Sequence, residues 1–202
     1  MNSVYPSSLE SIIEFFKKFP GIGEKSAERM ALSILNIPLD EIQIASNALV
    51  KARETLHPCD VCGNLTDSLK CIICEDEARN KNLICVVEDY KSIYAFEKAG
   101  NFKGVYHVLN GLISPIDDIG VDDINLSSLI RRIKELENPE LILALKGTIE
   151  GETTTLYIKK IFENKNVKIS RLSYGLPSGA EIDYLDMSTI EKALKDRKII
   201  SE

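Results

Sequence analysis

Cys59-Asp60-Val61-Cys62 is followed after a short spacer by Cys71-Ile72-Ile73-Cys74, and no other feature restricts the folding of this chain so tightly. Each C-x2-C pair forms a tight knuckle that presents two thiolates. A short spacer lets both knuckles meet at one tetrahedral ion, which is the donor set of structural zinc. Gly63 and Asn64 follow the first pair, residue types that accept the backbone angles of such a turn. Two disulfides could use the same residues, but a reducing location favours metal. Four thiolates close the coordination shell, so chemistry must be sought elsewhere in the chain.

That reducing location is an expectation from the rest of the sequence. No apolar run approaches the roughly 18 residues of a membrane span, and MNSVYPSSLE has neither the basic start nor the apolar stretch of a signal peptide. Cys85 stands in Leu83-Ile84-Cys85-Val86-Val87, where it reads as a small core residue. The net charge of −6 argues against a broad basic face for nucleic acid. Any such contact would be local, made by a few cations and backbone amides.

The first 56 residues read as helices. Ser7 and Glu10 have capping-box spacing, and Leu9, Ile12, Ile13 and Phe16 recur at helical intervals up to Phe19-Pro20. A second helix is predicted from Glu24 to Leu35 with Ala27, Met30, Ala31, Ile34 and Leu35 inward, ended by Pro38. A third follows a cap at Asp40, with Ile42, Ala45, Leu49, Ala52 and Leu56 on its apolar face.

Beyond the cysteines, strand-like runs at 83–87, 104–109, 141–145 and 167–172 alternate with helical patterns at 90–99, 126–136 and 153–162. This alternation predicts βαβ units and a parallel sheet covered on both faces. Ligands of such sheets bind outside the carboxyl ends of the strands, which puts Glu88, Asp89, Glu150 and Glu152 at the expected site edge. The segment 173–186 is glycine-rich and then acidic, and a helix over 187–198 closes the chain.

Two constellations carry candidate chemistry. In Phe19-Pro20-Gly21-Ile22-Gly23-Glu24-Lys25-Ser26-Ala27-Glu28-Arg29, Gly-x-Gly allows a sharp turn and leaves amides exposed at the start of a helix. Those amides and the helix dipole suit a phosphate oxygen, with Lys25 beside them and Arg29 one turn on. This is the pattern of a helix-hairpin-helix motif, which grips the DNA backbone without reading bases. The second constellation is Glu88 with Glu150-Gly151-Glu152. Carboxylates converging at strand ends can hold Mg2+ for phosphoryl transfer, yet Glu152 would equally serve as a charge at a helix N-terminus. No Ser–His or Cys–His pair supplies a nucleophile. His57 is superfluous to a complete four-cysteine shell, and His107 alternates with apolar neighbours as a core histidine does.

Taken in order, F-P-G-I-G-E-K-S-A-E-R, C-D-V-C…C-I-I-C, I-C-V-V-E, I-E-G-E-T-T and R-L-S-Y-G-L-P-S-G-A-E-I-D-Y-L-D resemble the bacterial RecR family of recombination mediators along nearly the whole chain. The resemblance implies an α/β multidomain protein. A helix-hairpin-helix DNA-binding module would span 1–56, a four-cysteine zinc finger 57–77, a Toprim-like parallel-sheet domain 78–172, and a Walker B-like segment with a helix 173–202. Lys25 and Arg29 would be the principal DNA-contacting cations, within a site that includes Gly21, Ile22, Gly23 and Ser26. Cys59, Cys62, Cys71 and Cys74 would hold one structural Zn2+. Glu88, Glu150 and Glu152 match the Toprim acidic positions, associated in this family with partner contact rather than cleavage. The implied role is non-enzymatic DNA repair in the cytoplasm, at the nucleoid. Such proteins act with RecO, and in many bacteria RecF, to load RecA at gaps coated by single-strand-binding protein, as homodimers or ring tetramers.

Two positions depart from the family pattern. Lys146-Gly147 stands where relatives usually carry Asn-Pro, and Tyr174 where His is frequent. The first puts a cation beside the acidic site, which weighs against Mg2+. The competing class is a Mg2+-dependent Toprim nuclease or primase-like enzyme, and a third is a zinc-dependent protein-interaction module that never touches DNA.

Overall fold

The computed structural model describes residues 4–173, 175–176 and 178–200. Tyr174 and Pro177 of the glycine-rich segment lie outside the described residues. The chain forms two compact units, residues 1–56 and 57–202.

The first unit holds α1 (Ser7–Phe16), α2 (Glu24–Ile34) and α3 (Leu39–Thr55). The capping box is not formed. Pro6 is the N-cap of α1 and Ser7 is already helical, because the fixed φ of Pro6, −57°, starts the helix from one residue earlier. Pro38 likewise takes the cap position of α3, which leaves Asp40 in its first turn. Ile13, Ala27 and Ala31 form the core, with Leu9, Ile12, Phe16 and Ile22 packed against it. Met30 and Leu35 differ from the expectation: they flank the stripe of Ala27, Ala31 and Ile34 and are 38 % and 72 % exposed. None of the residues of α3 is buried. Its Ile42, Ala45 and Leu49 instead line an open apolar cleft of about 550 Å³ with Ile12, Phe16 and Ile34.

The second unit begins with a short antiparallel ladder, β1 (His57–Pro58) against β2 (Leu65–Thr66), and the single turn α4 (Ile72–Glu75). A sheet follows, built from β3 (Asn80–Val87), β4 (Gly104–Val108), β5 (Glu140–Ala144) and β6 (Lys168–Arg171) in the order β4-β3-β5-β6. All its pairings are parallel, as the alternating pattern requires. Crossovers run through α5 (Tyr90–Ala99), α6 (Leu126–Lys134) and α7 (Ile149–Phe162); a 3-10 turn at Ile182–Tyr184 and α8 (Met187–Lys195) complete the unit. None of the described helices is long and apolar enough to cross a membrane.

Burial explains the strand sequences. Every residue of β4 is buried, and so are Ile84, Cys85, Val86 and Val87 of β3. Cys85 is therefore a core thiol, and burial pushes its pKa up to about 12. His107 is a core histidine: its Nε2 lies 2.8 Å from the Asn125 carbonyl oxygen, while Nδ1 is buried without a partner. Arg79 braces the far end of the sheet through paired bonds of 2.8 and 2.6 Å to Glu97, which also accepts from the Tyr106 hydroxyl at 2.6 Å. The Arg79 guanidinium holds the Glu97 carboxyl below its usual range.

The helix α7 begins at Ile149, earlier than the expected 153, because Thr148 caps it by accepting from the Gly151 amide at 3.3 Å. Glu150 and Glu152 thus sit on its first turn. Gly151 is also required sterically, since a Cβ there would lie 1.9 Å from the Lys146 carbonyl oxygen.

Candidate metal centre and nucleic-acid interface

The four cysteines of the two knuckles gather as a group. Cys59 and Cys62 lie in the turn after β1, Cys71 is the N-cap of α4 and Cys74 lies within it. Their four sulfur atoms all lie within 4.8 Å of one another. The Cys62 and Cys71 sulfurs are 3.6 Å apart, close to the roughly 3.8 Å edge of a tetrahedron with zinc–sulfur bonds of about 2.3 Å.

The backbone is arranged around thiolates. The amides of Asn64 and Cys71 donate to the sulfurs of Cys62 and Cys59 at 3.4 and 3.3 Å, the outer contacts that orient metal-bound sulfur. The hydrogen bond between Cys62 and Cys71 pushes the Cys71 thiol well down and the Cys62 thiol well up. Gly63 turns the first knuckle at φ +75°, and a Cβ there would press on the Val108 carbonyl oxygen and the Asn125 amide at 3.2 Å. The group fits a closed, structural metal site.

In the first unit, the turn between α1 and α2 is closed by the Ile22 amide donating to the Phe19 carbonyl at 3.1 Å, with Gly21 at φ +79°. Ile22 points its side chain into the small core. Gly23 is the N-cap of α2 and faces open space, so its lack of a side chain leaves the backbone approachable rather than relieving a clash. The first helical bond runs from the Ala27 amide to the Gly23 carbonyl, so the three amides before Ala27 have no acceptor within the helix. Lys25, Ser26 and Arg29 are exposed on this helix, and Lys25 and Arg29 share a face. Lys17 at the end of α1 is instead tied to Glu14 at 2.8 Å and Glu24 at 3.7 Å.

The acidic residues behave differently. Glu88 follows β3 and accepts from the Lys146 ammonium at 2.9 Å through Oε1, while its Oε2 is buried without a hydrogen bond. Glu152 lies 3.5 Å from Arg171, which also contacts Asp196 at 2.7 Å. Glu150 is held below the usual carboxylate range by the Thr148 hydroxyl. Among the described residues, the four cysteines are the one set of three or more Cys, His, Asp or Glu ligand atoms that converges. Mg2+ demands oxygens at about 2.0–2.1 Å in near-octahedral order, and these carboxylates, which do not converge and of which Glu88 and Glu152 are ion-paired, do not fit it. Sequence reasoning had no role for Arg171, Asp196 or Lys192, because the contacts they make join segments far apart in the chain.

Two curated relatives, both described as recombination protein RecR and both from Clostridium perfringens (strains ATCC 13124 and 13), are 47 % identical over 196 residues. The match covers 97 % of this chain and 98 % of each relative. The chain belongs to the RecR family. Family models locate the parts on the structure just described. The RecR helix-hairpin-helix model matches 9–53, the helical unit with its Gly21–Gly23 turn. A Toprim domain model matches 82–173, the parallel sheet and its crossover helices. The RecR C-terminal model matches 175–198, the segment that ends in α8.

Proposed function

We propose that this protein is a DNA-binding recombination mediator. It acts as a scaffold in the cytoplasm, with RecO, to promote RecA loading at single-stranded gaps coated by single-strand-binding protein. The observation that carries this reading is the approachable N-terminus of α2, where Gly21 and Gly23 open the backbone beside the exposed face of Lys25 and Arg29. Amides and cations in that arrangement bind phosphate oxygens and read no bases. The ion of the cysteine centre is Zn2+, for which the donor set and sulfur spacing argue. Glu88, Glu150 and Glu152 serve partner contact, since Glu88 and Glu152 are ion-paired and the three converge on no metal cage for phosphoryl transfer.

Copies of the chain assemble into a homodimer or ring, for which the uncovered apolar cleft of the helical unit argues. A ring would bring several Lys25–Arg29 faces to one DNA. Each contact is then weak alone and strong together, which reconciles binding with a net charge of −6.

A gel-shift titration of a labelled gapped duplex in Mg2+, with half of each sample run denatured, tests the reading. A retarded band containing intact DNA supports the scaffold. Shortened or extended DNA supports the Toprim enzyme instead. Binding that appears only after RecO is added assigns DNA contact to the joint complex.

A further inference from the structure

The four cysteines of the candidate metal centre are not held alike. The first knuckle is fastened twice: the Cys59 amide donates to the Asn64 carbonyl at 2.7 Å, and the Cys62 carbonyl accepts from the Val108 amide of β4 at 2.7 Å. Cys71 and Cys74 belong to α4, a single turn too short to be stable alone. Amides donate to the sulfurs of Cys59 and Cys62, and among the described residues none donates to the sulfur of Cys74. Cys74 is also the one partly exposed member of the set. It is the weakest corner of the centre.

We infer that Lys81, the second residue of β3, is a positioning residue that holds Cys74 in the metal centre. Its ammonium donates to the Cys74 carbonyl at 2.9 Å and to the Asp76 carbonyl, and so closes the C-terminal end of α4. The last carbonyls of a helix have no partner within it, and they carry the negative end of its dipole. A lysine that reaches them answers both needs with charge-assisted bonds. The Asp76 side chain fixes the connection to β3, accepting from the Ala78 amide at 2.9 Å and lying 3.4 Å from Arg79. Within α4, Ile73 is buried in the core while Ile72 is 82 % exposed, so apolar packing secures only one side of the turn. Lys81 secures the end that carries Cys74. It fastens the second knuckle to β3 as the Val108 amide fastens the first to β4. Without it the end of α4 is free to open, and Cys74 is the ligand that lets go of the ion first.

The rate of metal release tests this and needs neither DNA nor a partner. The full chain is loaded with Zn2+, mixed with an excess of the coloured chelator pyridylazoresorcinol and followed by absorbance. Lys81→Met keeps the apolar stem and loses the donors. It is expected to release zinc roughly 10-fold faster than the wild type, the lower end of what contacts behind metal ligands contribute. Lys81→Arg, which keeps a cationic donor, should restore most of the slow release. Thr154→Val, which weakens the same unit through a buried hydroxyl outside the cysteine cluster, should release zinc at the wild-type rate. Release from Lys81→Met no faster than from the wild type or from Thr154→Val overturns the inference, and so does equally fast release from Lys81→Arg. A second measurement uses the wild type alone, so that it stands even where Lys81→Met does not fold. Partial alkylation of the zinc-loaded protein with iodoacetamide, mapped by mass spectrometry, should label Cys74 ahead of Cys59, Cys62 and Cys71. A first label on any of those three overturns the inference. It rests on the zinc reading of the centre: native protein without bound metal removes that reading and the inference together, whereas unchanged release from Lys81→Met removes only the role of Lys81.

Discussion

The Val108 amide, at the last residue of β4, donates to the Cys62 carbonyl at 2.7 Å. A cysteine of the candidate metal centre is thereby bonded to the end of a fully buried strand, and Gly63 closes against the Val108 carbonyl from the next position. The cysteine centre is built onto the sheet, so a metal bound there would couple its binding to the folding of residues 57–202.

Removal of the ion should therefore be felt well beyond the knuckles. Cys62→Ser is expected to lose the metal and lower the Tm of the larger unit by roughly 10 °C, the consequence of a few kcal/mol in a domain of this size. Cys85→Ala, a change at a core thiol outside the cluster, should keep the full metal content. Calorimetry with elemental analysis of the same samples checks both, and well under one ion per native chain would remove the metal centre from the account.

Lys25→Ala and Arg29→Ala should each weaken binding to gapped DNA without altering the fold, because both side chains are exposed. For each cation removed, the slope of log affinity against log salt should become shallower by about 1 per engaged chain, evenly across unrelated sequences. Fluorescence anisotropy at several salt concentrations measures this. Affinity and slope both unchanged in the two variants would take the hairpin out of the DNA site.

Burial lowers the His107 pKa from 6.5 to about 4, chiefly because the imidazolium would lose its water. The unfolded chain then takes up a proton below about pH 6.5 that the folded chain accepts only below about 4. Stability from this group is complete above the upper value and is lost as pH falls through the window, by about 3 kcal/mol in all. His107→Gln should flatten the decline in Tm between pH 7 and 4.5 relative to the wild type. Parallel profiles for the two proteins would show that some other group sets the acid response.

Thr154 is buried, accepts from the Ile113 amide at 2.9 Å and donates to the Glu150 carbonyl at 2.7 Å. Thr154→Val keeps the shape but leaves the Ile113 amide without its acceptor, so it should cost about 1–3 kcal/mol in denaturant unfolding. Thr154→Ser, which keeps the oxygen, should cost less than half as much.

What could be read in advance divides along physical lines. The helix Tyr90–Ala99 has the limits its sequence suggests because both ends are local: Asp89 accepts from the Ser92 amide at 3.1 Å, and Gly100 closes the other end at φ +72°. The parallel sheet was legible for a similar reason, since βαβ alternation leaves few other pairings. At α1 two local signals competed, and the rigid ring of Pro6 displaced the Ser7 cap. α7 starts before the expected 153 because Thr148 caps it and Gly151 alone fits against the Lys146 carbonyl, a packing contact that the sequence pattern does not show.

The apolar pattern of the helical unit overstated its own core. Periodicity identifies a face that prefers burial, but Leu49 of α3 remains 59 % exposed and Leu35 at the end of α2 remains 72 % exposed, since a unit as small as residues 1–56 encloses few side chains. What covers a face is a tertiary or quaternary matter that hydropathy does not encode.

By itself the sequence determined the elements whose causes lie within a few residues. These are the knuckles of the cysteine pairs, the glycine turn that precedes Lys25, and the alternation of strands with helices. The tertiary structure alone decided which distant groups meet. Glu88 and Lys146 are 58 positions apart, and Arg171 and Asp196 are 25 apart. Charge in a linear sequence carries no partner. Only the parallel register of β3 with β5 and the docking of α8 bring these ions together, because long-range pairing follows from how the sheet closes.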